Sequence, residues 1–67
     1  MLKDYRIKKG LSQSQLAAAS GVNVRMIQYY EQGAKDINKA SAETLYKLSE
    51  ALGCRMEDLI NVQKEGR

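Results

Sequence analysis

Sixty-seven residues with 11 Lys and Arg against 8 Asp and Glu, formal net charge +3, make at most one small basic domain, and at this size a core is marginal. One cysteine, Cys54, and no histidine exclude an internal disulfide, a Cys/His zinc site and hydrolysis by an imidazole base, and they point to a reducing compartment. No stretch approaches the roughly 20 apolar residues of a membrane span, and Met1 to Gly10 is too charged for a signal peptide, so a soluble cytoplasmic protein is expected, neither an enzyme nor a holder of a cofactor.

The charge is uneven. Up to Lys35, six cations (Lys3, Arg6, Lys8, Lys9, Arg25 and Lys35) face only Asp4 and Glu31, a balance of +4, and the remainder of the chain is −1. A basic face for a polyanion accounts for such a split, as does plain solvation of a small surface.

There is no proline, and glycines at 10, 21, 33, 53 and 66 divide the chain into lengths suited to helices, each glycine placed as a C-terminal stop. No period-two alternation suggests a strand, so an all-α fold is predicted. Helix 1 is predicted from Met1 to Lys9, with Leu2, Tyr5 and Arg6 on one side. Ser12 and Gln15 fit a capping box, which starts helix 2 at Gln13 and runs it to Ser20 with Leu16 and Ala17 inward. Asn23 suits the N-cap of helix 3, Val24 to Gln32, with Ile27 and Tyr30 inward and Gly33 as the stop. Ala34 to Lys39 reads as a polar loop. Helix 4 begins at Asn38 or Ser41. The earlier start is favoured, since Ile37 would then staple against Ala42, and the core stripe is Leu45, Leu48 and Leu52 with Ala51 beside it, closed by Gly53. A short helix 5 presents Met56, Leu59 and Ile60, and from about Gln63 the chain is expected to fray.

Gln13 to Tyr30 reads as helix, three-residue corner, helix. Ala17 is small where the second helix crosses, Gly21 makes a turn that a β-carbon would obstruct, and Val22 and Ile27 plug the angle. Leu16, Ala17, Gly21, Val22, Ile27 and Tyr30 together match the helix-turn-helix pattern, whose second helix enters the major groove.

On these residues the sequence resembles the Cro-repressor-like, or XRE-type, family of lambda-repressor-like DNA-binding domains. The resemblance runs from residue 2 to about 60. Its further marks are Leu2 and Arg6, Lys9-Gly10-Leu11-Ser12-Gln13, Glu31 with Gly33, Leu45 with Leu48, Leu52-Gly53 and Leu59. It implies a compact five-helix domain and a bacterial or phage-encoded, nucleoid-associated protein that binds double-stranded DNA sequence-specifically. Such a protein usually works as a homodimer on an inverted repeat. It also implies that Arg6 and Glu31 form a structural ion pair, which suits an arginine on an inward face. The loop after helix 3 is longer than the family's commonest form and lacks its usual proline. It carries Ala34 and Asp36 where basic residues are frequent, and Ser49 replaces a buried alanine, so its hydroxyl needs a backbone carbonyl.

A recognition helix over about 24–32 puts Val24, Arg25, Gln28 and Tyr29 outward, with Asn23 at the corner. Arg25 is read as pairing with guanine O6 and N7, the alternative being that it touches only phosphate or solvent, and Val24 as meeting a thymine methyl. Gln28 either reads adenine or lies at the solvent edge, and Tyr29 contacts either backbone or base. Phosphate contacts are assigned to Gln13 at the amino end of helix 2, where an exposed residue with no partner is the alternative, to Asn23, and to Lys35 and Lys39 flanking the loop, where solvated lysine is the alternative. Tyr5 and Tyr30 are read as core, and Cys54 as a small apolar residue.

The expected activity is that of a repressor-like transcriptional regulator, dimeric at least on DNA. An antitoxin autoregulating its operon with a toxin partner shares this fold, and a protein-interaction module that kept the fold is the alternative of another class.

Overall fold

Local hydrogen bonding decides where each helix starts. The computed structural model describes residues 2–60 as α1 (Leu2–Lys9), α2 (Gln13–Ser20), α3 (Val24–Gln32), one turn of 3-10 helix (Ile37–Lys39), α4 (Ala42–Leu52) and α5 (Met56–Leu59). The fold is all-α, with five α-helices and no strand among the described residues. Met1, where helix 1 was expected to begin, and the tail expected to fray lie outside the described residues.

Ser12 and Gln15 close the capping box reciprocally. Gln15 N donates to Ser12 Oγ at 3.0 Å, and Ser12 N donates to Gln15 Oε1 at 2.8 Å, which satisfies two amides that the first turn would otherwise leave without partners. Asn23 Oδ1 accepts from Arg25 N at 2.7 Å and starts α3 at Val24. Between them lies the corner, where Gly21 sits at φ +77° and donates its N–H to the Ala17 carbonyl. No neighbour lies within 4 Å of a β-carbon built on Gly21. The glycine is therefore there for its left-handed backbone and not, as expected, to avoid an obstruction. Ser20 supplies a second device: its buried Oγ accepts from Val22 N at 3.1 Å and so holds the corner from inside.

The early start of helix 4 at Asn38 is incorrect. Asp36 Oδ1 takes the Asn38 amide at 3.0 Å, and Lys39 N and Ala40 N then donate to the carbonyls three residues back. That turn ends in extended backbone at Ala40. Ser41 makes the α-helical cap, its Oγ accepting from Thr44 N at 3.1 Å. Ile37 therefore does not staple Ala42. The staple positions flanking the Ser41 cap are held by Ala40 and Leu45, and both join the core. Asp58 reaches back to Arg55 N at 2.9 Å and opens α5.

α2 is the hub, packing on α3 and α4, while α5 rests on α4 and α1 touches both α3 and α4. The buried core is Leu2, Leu16, Val22, Ile27, Leu45, Leu48, Leu52 and Leu59, drawn from every α-helix and from the corner. Tyr5, Ala17, Tyr30, Ala51, Met56 and Ile60 pack partly buried against it, as do Leu11 and Met26, for which the sequence pattern gave no expectation. Ser49 is buried, and its Oγ donates to the Tyr46 carbonyl at 2.9 Å, the partner its position required. Cys54 is half-buried against the core, and burial raises its thiol pKa, with the nearby Asp58 charge adding to the effect.

Candidate nucleic-acid interface

α3 is set by what it buries. Ile27 is completely inaccessible and Val22 nearly so, which fixes the angle at which the helix leaves the corner. Met26 and Tyr30 pack partly buried against the same core. On the remaining perimeter Asn23 and Arg25 are exposed, and Val24, Gln28 and Tyr29 are half-buried. Arg25 therefore stands clear of the fold within the first turn of α3, whereas Val24, Gln28 and Tyr29 show only part of their surface. Asn23 spends its carboxamide oxygen on the Arg25 amide, which leaves its Nδ2 donors for another acceptor.

The end of α3 is tied to the loop that follows. Gly33 turns at φ +81°, and the Tyr29 carbonyl accepts from Ala34 N at 2.9 Å and from Lys35 N at 3.2 Å. Lys35 is thereby held exposed one turn beyond the helix, and Lys39, also exposed, closes the 3-10 turn. Asp36 serves as the cap of that turn, which accounts for an acidic residue in a loop where cations were expected.

The start of α2 is wired to α1 and α3. Arg6 Nε donates to Glu31 Oε2 at 2.7 Å and Arg6 Nη2 to Glu31 Oε1 at 3.0 Å, while Nη1 holds the Leu11 carbonyl at 2.8 Å. Gln13 Nε2 adds a third hydrogen bond to the carboxylate, at 3.0 Å to Oε1. Burial alone would raise the Glu31 pKa. The hydrogen bonds from Arg6 and Gln13, with the charges of Arg6 and Lys3, outweigh it and hold the carboxyl below the usual range. The bond to Glu31 raises the Arg6 pKa in turn.

Two features of this corner escaped the sequence reading. Gln13 and Glu31 lie 18 residues apart, and no local pattern announces such a bond. Lys3 did carry a signal: it precedes Arg6 by three residues, which puts both on one side of α1, and its charge reaches Glu31.

No group of three or more potential ligands for a metal ion occurs among the described residues, and no helix there is long and apolar enough to cross a membrane. A family model described as helix-turn-helix matches residues 2–59 of the chain. No curated protein and no solved structure matches it.

Proposed function

Because the chain belongs to the XRE and lambda-repressor-like helix-turn-helix family, whose members are DNA-binding regulators, we propose that it is a sequence-specific, repressor-like regulator that lays α3 in the major groove of duplex DNA. The observation that carries this reading is the division of α3 into an anchored side and an open one: Ile27 has no accessible surface, while Arg25, two residues earlier, is exposed. A rigidly held helix with a guanidinium at its first turn suits bidentate pairing to guanine O6 and N7. Val24, Gln28 and Tyr29 share that edge and would complete base readout.

Phosphates on one side would be met by Gln13 and Asn23, and on the other by Lys35 and Lys39. Glu31, the carboxylate that Gln13 holds, is neutralised by Arg6, so the amino end of α2 keeps the positive character that attracts a phosphate. A single module of this size buries too little surface for useful specificity, so two copies would bind an inverted repeat with half-sites about 34 Å apart. Occupying the operator is the whole mechanism, and no covalent chemistry is involved.

Selection from a random duplex library tests the reading directly. An enriched palindrome is expected, with affinity falling steeply in salt, at a logarithmic slope near −5 if about six phosphates are neutralised. Failure to enrich any sequence, or binding indifferent to salt, would overturn it.

A further inference from the structure

Gln13 opens α2 with a side chain that is already committed: Nε2 donates to Glu31 Oε1 at 3.0 Å. Glu31 is itself fixed, both carboxylate oxygens being gripped by Arg6 at 2.7 and 3.0 Å. A carboxamide has a donor end and an acceptor end of nearly the same shape, whereas an ionised carboxylate can only accept. The residue at position 31 therefore dictates which end of Gln13 turns inward.

We propose that Glu31 is a positioning residue for DNA binding, which locks the Gln13 carboxamide with Nε2 inward and so reserves its second Nε2–H for a backbone phosphate at the amino end of α2. Arg6 makes this workable, since an unneutralised carboxylate beside a phosphate would repel it. With glutamine at position 31 two carboxamides would pair either way round, and the Gln13 amide would no longer be held in one orientation. The inference rests on the proposed function and adds the group that orients its phosphate donor.

A double-mutant cycle on a selected duplex tests it, using Gln13→Ala, Glu31→Gln and the two combined, with thermal unfolding of each free protein measured alongside. Each single change is expected to weaken binding about tenfold, and the combination no more than either alone. A Glu31→Gln loss that is the same with Gln13 present or absent overturns the proposal, because Glu31 would then act through the fold only. Should Glu31→Gln not fold, NMR of the unaltered protein decides. The two Gln13 carboxamide protons are expected to be dispersed in the free protein and to shift on adding DNA, whereas averaged positions or no shift would overturn the proposal. A parent protein that binds no duplex at all sinks the proposed function itself, an outcome distinct from additive losses in a protein that binds.

Discussion

Arg6 and Glu31, 25 residues apart, meet through two parallel hydrogen bonds with only 12% and 4% of their side-chain surfaces accessible. Removing the arginine strands a carboxylate that has almost no water to turn to. Arg6→Met is expected to cost about 3–5 kcal/mol, read as a lower urea midpoint at unchanged slope. Arg6→Lys should recover only part of this, because a single ammonium cannot span both oxygens and also hold the Leu11 carbonyl. Equal midpoints for Arg6→Met and the parent would show the pair to be ornamental.

The same pair sets an acid limit. Burial works against ionised Glu31, but the Arg6 and Gln13 hydrogen bonds and the charges of Arg6 and Lys3 prevail, so its folded pKa lies below its unfolded one. A depressed carboxylate contributes its stability above the unfolded value, about 4.3 for glutamate, and loses it as pH falls through the folded value. Urea unfolding from neutral pH to about pH 3 should therefore show stability draining away on the acid side, with a shallower decline in Glu31→Gln. Parallel declines would mean that other carboxylates govern the acid limb.

Arg25 and Lys35 are both exposed cations near α3, but they are assigned different work. Arg25→Ala should cost about 1–3 kcal/mol on the selected site and relax preference at one base pair, leaving random duplex little changed. Lys35→Ala should weaken all sequences alike and reduce the salt slope by about 0.9. Binding titrations on selected and scrambled duplexes at several salt concentrations separate the two; exchanged phenotypes would reverse the assignments.

Features written in short-range hydrogen bonds are legible in the sequence itself. Ser12 with Gln15 and Asn23 with Arg25 each involve residues two or three apart, and the caps Ser12 and Asn23 place the starts of α2 and α3 where they are observed. The start of α4 was not legible, because Asn38 and Ser41 are equally competent caps and the choice fell to Asp36, which captured the Asn38 amide for a 3-10 turn. Helical spacing with Ile27 inward puts Arg25 on the exposed side of α3, but Val24, Gln28 and Tyr29, expected outward with it, are half-buried. The contact between Gln13 and Glu31 depends on how α2 crosses α3, a tertiary fact that neither residue declares locally.

Ser49 marks a place where the chain carries a polar atom in its core without evident gain. It is 3% exposed, and its hydroxyl is satisfied only by the Tyr46 carbonyl within its own helix. Such back-bonding weakens helices slightly, and alanine is the better helix former by a few tenths of a kcal/mol. Ser49→Ala removes the donor without stranding a partner, since the Tyr46 carbonyl lies inside α4. A rise in melting temperature of a few degrees is expected, and a fall would mean that the hydroxyl does more than satisfy itself.

Gly21 separates backbone strain from steric crowding. Space is open around its missing β-carbon, yet its φ is +77°, a region that costs most residues about 1–2 kcal/mol. Gly21→Ala should therefore destabilise by about that amount through its own backbone, and Gly21→Asn, which visits this region more readily, by less. Crowding would rank them the other way, the larger side chain being worse. The corner also aims α3, so any relaxation of φ would swing Arg25 relative to Gln13. If the helix must be held at one angle to engage base and phosphate together, Gly21→Ala should lose more DNA affinity than its fall in stability accounts for at temperatures where it is fully folded. Titration of the folded variant at low temperature measures this: unchanged affinity would mean that the strain is absorbed within the turn and never reaches the helix.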